Sequence, residues 1–264
     1  MADILLTNDD GYRSVGFLPL LEELSRQFSV VAVAPSEEKS WIGKSISAWK
    51  ELSIQKVKLG DFDIYSLNGT PADCVQIGLY DVLDHKPKLV ISGINTGDNV
   101  GHARILSSGT VGAAMEASID GVRSIASSLC LPSDIKSTTD FLDSKNLHMF
   151  ENAAKITSKL ASVLLDKAFG AGVDLVSLNI PFNATIHAPL AVTVPFREPY
   201  GKLFHKKGDK FIHANPGLKF ENLKEGTDIK ALSEGKLSIT PLSLELVSKD
   251  SLKQFGRLIK ESGW

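Results

Sequence analysis

Cysteine is almost missing from this sequence of 264 residues, which holds only Cys74 and Cys130. Neither stands at a metal-ligand spacing from the other or from the six scattered histidines. That excludes a disulfide framework, gives no zinc site, and points to a reducing, cytoplasmic setting. An excess of charge is missing too: 29 Lys+Arg against 31 Asp+Glu leave a formal net charge of -2. No whole-protein field therefore draws in a nucleic-acid polymer or an anionic membrane. No apolar run nears the roughly 20 residues of a membrane span. The opening Met1-Ala2-Asp3-Ile4 carries no basic stretch ahead of an apolar one, so neither secretion nor membrane insertion is expected. Internal repeats, low-complexity tracts, a Gly-x-Ser-x-Gly elbow and a Gly-x-x-x-x-Gly-Lys-Ser/Thr phosphate loop are all absent.

What is present is an alternation of short apolar runs with amphipathic stretches. Ile4-Leu5-Leu6 runs straight into Thr7-Asn8-Asp9-Asp10-Gly11, a buried strand with an abrupt stop. Phe17, Leu20, Leu21, Leu24 and Phe28 keep the spacing of one helix face. Ser29 to Ala34 is a β-branched strand stopped by Pro35, so the chain opens as a parallel strand-helix-strand unit. Around Ile46, Ile54, Val57 and Ile64 the runs shorten, with a turn at Gly60-Asp61. Thr70-Pro71-Ala72-Asp73 begins a helix to Leu83, because Thr caps, Pro suits the first position and Asp stands three residues on. Leu89 to Ile94 is the next strand, followed by the non-helical loop Asn95 to Gly101. A small-residue helix runs from Val111 to Ile119, a strand from Ser124 to Leu129, a polar connection over residues 131–146, and a strong amphipathic helix from Met149 to near Gly170. Val173 to Ile180, stopped by Pro181, and Leu237 to Thr240, before Pro241, read as strands, and Leu252 to Ile259 as a final helix. The basic, glycine-punctuated stretch from Phe196 to Lys230 reads as a protruding hairpin arm with its tip at Lys206 to Lys210.

The strand ends collect chemistry. Asp9 and Asp10 follow the first strand, Ser40 lies five residues past Pro35, and Asn95 follows the strand containing Ile91, so all four reach one sheet edge. Carboxylate, hydroxyl and amide oxygens without histidine or thiolate suit Mg²⁺ or Mn²⁺. Each is also an ordinary turn or capping residue taken alone. Asn99 with Ser108-Gly109-Thr110 places a helix N-terminus, two hydroxyls and no nearby acid together, the physics of a phosphate cradle and equally of a simple cap. Thr70 to Asp73 is accounted for by capping. A metal beside a phosphate cradle implies phosphoryl transfer to activated water, with Asp9 or Asp10 open as general base. A non-catalytic nucleotide-binding module is the alternative.

These stretches resemble the SurE family of survival-protein nucleotidases. The likeness is carried by ILLTNDDG (Ile4 to Gly11), Val33-Ala34-Pro35 through Ser40, NGTPADC (Asn68 to Cys74), SGINTGDNVG (Ser92 to Gly101), SGTVGAAME (Ser108 to Glu116) and EGKLSITPL (Glu234 to Leu242), in family order. The resemblance implies a Rossmann-like three-layer α/β/α sandwich with a mostly parallel sheet, as one domain over residues 1–264. Its core would be about 1–130 with 145–182 and 236–264, and its arm about 196–235. It also implies metal-dependent 5′-nucleotidase activity on nucleoside monophosphates, with 3′-monophosphates and short polyphosphate as further substrates, and homodimers or homotetramers joined by exchanged C-terminal segments. The family's metal ligands fall on Asp9, Asp10, Ser40 and Asn95, and its phosphate contacts on Asn99, Ser108, Gly109 and Thr110. Four positions depart: Trp41 stands where the family usually has Gly, His102-Ala103 replaces an acidic pair, and Ser107 replaces a tyrosine. Stacking on a base and narrowing of the pocket both remain open for Trp41.

Overall fold

The computed structural model describes residues 2–131, 146–167, 169–197, 199–214, 217–218 and 222–262. The polar connection expected over 131–146 lies, between its end residues, outside them. The chain opens with β1 (Ile4–Thr7), α1 (Phe17–Ser25) and β2 (Val30–Pro35), then the hairpin β3 (Ile54–Leu59) and β4 (Phe62–Leu67). Next come α2 (Pro71–Ile77), continued by a π-helical turn at Gly78–Val82, then β5 (Leu89–Thr96), α3 (Gly101–Ser107), α4 (Gly109–Ile119) and β6 (Ser124–Cys130). The remainder is α5 (Leu147–Asp166), β7 (Leu175–Pro181), β8 (Leu190–Val192), β9 (Phe204–Lys207), β10 (Lys210–His213), α6 (Asp228–Ser233), β11 (Leu237–Leu242) and α7 (Lys249–Glu261).

Among the described residues one nine-stranded sheet runs in the order β3-β4-β2-β1-β5-β6-β7-β11-β8. Its centre, β4 through β7, is parallel, while β3 and β11 pair antiparallel to β4 and β7. Side chains alternate across a strand, and β1 uses this fully. Ile4 and Leu6 join the core under α1 and α5, whereas Leu5 faces the core under α2 and α4. The result is a three-layer α/β/α arrangement with a mostly parallel sheet. No helix among the described residues is long and apolar enough to cross a membrane.

A break in β5 redirects the end of that strand. From Ser92 to Asn95 it advances three residues while β6 advances two, from Ala126 to Ser128. Such a bulge re-aims the residues beyond it. Gly93 makes it possible: its φ is +144° and an added Cβ would lie 2.4 Å from the Ser127 carbonyl oxygen. Gly93→Ala is therefore expected to cost about 3 kcal/mol, read as a lower urea midpoint at unchanged slope.

Several expectations need correction. Asn95 and Thr96 still belong to β5 and Gly101 opens α3, so the glycine-rich stretch is a short strand-to-helix turn rather than a long loop. Residues around Ile46 form no strand, and Ile46 is exposed. Pro35 and Pro181 close their strands from within, and Pro241 sits inside β11. Among the described residues the pairing of β8 with β11 stops at Ile239, so Pro241 stands at an edge position where a missing N–H is tolerated. The hairpin β9-β10 turns at Gly208-Asp209 as expected, but the arm does not extend to residue 235. Asp228, Ile229 and Ala231 are buried where α6 packs on β7 and β11. The described side chains of α7, expected with the core, are all exposed.

Candidate functional site

Strand order reverses at β1, because the chain moves from β1 to β2 on one side and returns through β5 on the other. Open α/β sheets bind ligands in the crevice at the carboxyl ends of the strands flanking such a reversal. Asn8 shapes the turn that leaves β1, donating through Nδ2 to Gly11 O at 2.8 Å and to Ser14 Oγ at 2.9 Å. Gly11 adopts φ +87°, where the Glu37 backbone approaches within 3.2 Å of a would-be Cβ. This turn places Asp9 and Asp10 over the crevice.

Asp9 is 3% exposed. Thr110 Oγ1 donates to its Oδ1 at 2.6 Å, and a Cβ on Gly109 would meet the Asp9 Cβ at 2.8 Å. The N-terminus of α4 thus packs directly against this carboxylate, and only glycine permits the approach. Asp10 Oδ2 accepts from the Thr96 N–H at 2.9 Å. Burial pushes the Asp9 carboxyl up to about 6, against the pull of the Thr110 hydroxyl and N–H. Burial, then the charge of Asp9, pushes Asp10 up to about 7, with Thr96 pulling it back. Glu38 raises both.

Five of the eight expected metal and phosphate contacts, Asp9, Ser40, Asn95, Asn99 and Ser108, line one cavity of about 140 Å³. Ser40 Oγ donates to Glu38 Oε1 at 2.6 Å. Asn95 Nδ2 donates to Gly97 O at 3.2 Å, an orientation that leaves Oδ1 for a ligand. Asn99 is locked, its N–H on Asn179 Oδ1 at 2.9 Å and its Nδ2 on Ser128 Oγ at 2.8 Å. Ser108 Oγ caps α4 by accepting from the Val111 N–H at 3.1 Å. Asp10 stands beside the cavity. Gly109 and Thr110 lie behind Asp9, and Thr110, marked in the sequence as a phosphate contact, commits its buried hydroxyl to Asp9 instead.

Other residues were not marked. Ser128 and Asn179, at the ends of β6 and β7, belong to the same sheet edge and were within reach of the strand-end argument. Glu38, Thr96 and Asp98 lie within the stretches that carry the family likeness but were not singled out, while Arg104, ion-paired to Asp98 at 2.9 Å, and Tyr200 carried no signal of their own. Among the described residues no group of three or more His, Cys, Asp and Glu side chains is arranged to hold a metal ion. The expected donor set, Asp9, Asp10, Ser40 and Asn95, holds two carboxylates with a hydroxyl and an amide, and so too few acids to form such a group.

A family model described as survival protein SurE matches residues 4–201. The 5′-nucleotidase SurE of Methanocaldococcus jannaschii is 38% identical over 273 residues, covering 98% of this chain and 99% of that protein. The 5′-nucleotidase SurE of Archaeoglobus fulgidus is 38% identical over 252 residues, covering 93% and 92%. The crystal structure of the SurE protein from Aquifex aeolicus superposes with a TM-score of 0.79 at 33% identity, over 97% of this chain and 99% of that one.

Proposed function

The chain belongs to the SurE family, and from that membership we propose that it is a divalent-metal-dependent phosphomonoesterase, hydrolysing nucleoside 5′-monophosphates to nucleoside and phosphate. The observation that carries the reading is the pair Asp9 and Asp10, both raised by burial at the reversal of strand order. Two carboxylates forced together in a buried crevice fit a divalent cation, which relieves both the burial and the repulsion. Asp9, Asp10, Ser40 Oγ and Asn95 Oδ1 would hold Mg²⁺ or Mn²⁺, all of them hard oxygen donors. When bound, the ion supplies positive charge to the phosphoryl oxygens and makes water a stronger acid near neutral pH.

The remaining work belongs to this chain's own residues. Ser108, Asn99 and the start of α4 at Gly109 receive the non-reacting phosphate oxygens, where the helix dipole favours an anion; the Thr110 and Val111 N–H groups are already spent on Asp9 and on Ser108 Oγ. Asn179 and Ser128 keep Asn99 from turning away. Thr110 is a positioning residue that fixes the Asp9 rotamer. Thr110→Ala is expected to lower kcat/KM about 10- to 100-fold, with Thr110→Ser recovering most of it; unchanged kinetics for the alanine variant would remove Thr110 from the site.

The direct test measures phosphate release from AMP, GMP and short polyphosphate, with chelator and with added Mn²⁺. Mn²⁺-dependent release from AMP is expected. Undiminished AMP binding with no release under any metal would leave a nucleotide-binding module on the same fold. Two free thiols accord with a cytoplasmic setting. Exposed Leu252, Phe255 and Leu258 on α7 support homodimers or homotetramers built through exchanged C-terminal segments.

A further inference from the structure

We propose that Trp41 is a stacking platform for the purine base of the substrate, and so a specificity-determining residue of the crevice; the inference rests on the nucleotidase reading. Most residues lining the cavity are polar, Asp9, Ser40, Asn95, Asn99 and Ser108 among them, and Trp41 and Tyr200 are its two aromatic lining residues; we call the polar part the floor and the aromatic part the wall. At about 140 Å³ the cavity takes a phosphate and its immediate neighbours, well short of the several hundred Å³ that a whole drug-sized ligand fills. The base of a bound nucleotide therefore lies outside the floor, along the aromatic wall.

That wall is built rather than incidental. Trp41 adopts φ +60°, a left-handed conformation that a bulky side chain keeps only where its surroundings over-determine it. The surroundings here do so. The Gly43 N–H donates to Ser107 O at 2.9 Å, pinning the loop to the end of α3. The indole packs against Tyr200 at 5.3 Å and edge-on to His213 at 4.8 Å. Tyr200 is itself fixed, its hydroxyl bonded to Ser107 Oγ and, at 2.7 Å, to Ala103 O, with the Arg104 guanidinium 5.6 Å from its ring.

Despite these partners Trp41 stays 43% exposed. It is held by Tyr200 and His213 yet half-exposed, lining the same cavity as Asn99 and Ser108. Because Arg104 is neutralised by Asp98, the wall offers an uncharged aromatic surface, which suits a planar base. A two-ring purine overlaps an indole more fully than a pyrimidine does.

The test compares AMP with ribose 5-phosphate, which keeps the phosphate and sugar but lacks the base. Trp41→Gly suits the left-handed backbone and so should fold, and Trp41→Phe keeps a ring. The AMP to ribose 5-phosphate ratio of kcat/KM is expected to fall about tenfold in Trp41→Gly and under about threefold in Trp41→Phe, chiefly through KM for AMP. A ratio unchanged in Trp41→Gly overturns the proposal while leaving the nucleotidase reading intact. A second readout needs no turnover: AMP, but not ribose 5-phosphate, should quench tryptophan emission in the unmodified protein, and this quench should vanish in Trp41→Gly. Equal quenching by both ligands overturns the platform. Quenching by AMP alone supports it even if no phosphate is released, an outcome that instead defeats the proposed activity.

Discussion

Asp9→Asn is expected to cut metal-dependent phosphate release by about three orders of magnitude or more, and at the same time to raise the melting temperature of the metal-free protein at pH 8. The first effect follows from removing a charged oxygen donor at the strand reversal. The second follows from electrostatics. Burial holds the Asp9 and Asp10 carboxyls well above the ordinary aspartate range in the folded chain, so the folded chain keeps protons that the unfolded chain releases. The stability this gives is fully present below pH 4 or so, and is lost as pH rises through about 6 and about 7. Asn removes one of the two ionisations and relieves Asp10, while its Oδ1 still accepts from Thr110. Melts in chelator should show a gain of a few degrees at pH 8 and none at pH 4. A variant that is both inactive and less stable at pH 8 would mean that the Asp9 charge supports the fold.

Metal binding should carry the same signature from the other side. The rise in melting temperature on adding Mn²⁺ is expected to be small at pH 5, to grow steeply to pH 7 and then to level off. Below pH 6 both carboxyls must give up protons to a cation, so apparent affinity climbs as much as about hundredfold per pH unit; between 6 and 7 the climb is about tenfold, and above 7 it ends. Calorimetric titration in two buffers of different ionisation enthalpy counts the protons directly. Between one and two should leave at pH 5.5 and almost none at pH 8. A pH-independent affinity would place the ion away from Asp9 and Asp10.

How far these features were legible in the sequence depended on how local their causes are. Ile4-Leu5-Leu6 ahead of Asn8-Asp9-Asp10-Gly11 reads as a strand and turn because alternation and turn chemistry act within a few residues. The same holds for the Thr70–Asp73 capping box, formed at 2.8 and 3.1 Å. The parallel pairing of β1 with β2 followed from two apolar strands joined by an amphipathic helix. What escaped is set at long range. β8 spans three residues, too few for a period. α6 reads as polar arm because its burial depends on β7 and β11. Tyr200 meets Ser107 across 93 positions of sequence, and the bond of Thr110 to Asp9 across 101, so neither role has a local mark. Trp41 stood out by residue type alone; its left-handed backbone and its partners are consequences of the fold.

The hairpin β9-β10 projects from the molecule with its strand residues exposed, and a two-stranded ribbon alone is marginal in water. Its two roots do not float free. Tyr200 just before β9 and His213 at the end of β10 both close on the Trp41 indole, which is carried by the loop that presents Ser40. Order in the ribbon and order in that loop are consequently one thermodynamic quantity shared by two parts of the chain. By reciprocity, whatever a bound ligand gains from a settled Trp41, the ribbon gains in turn, and fraying at the Gly208-Asp209 tip is felt at the crevice while the sheet beneath stays whole.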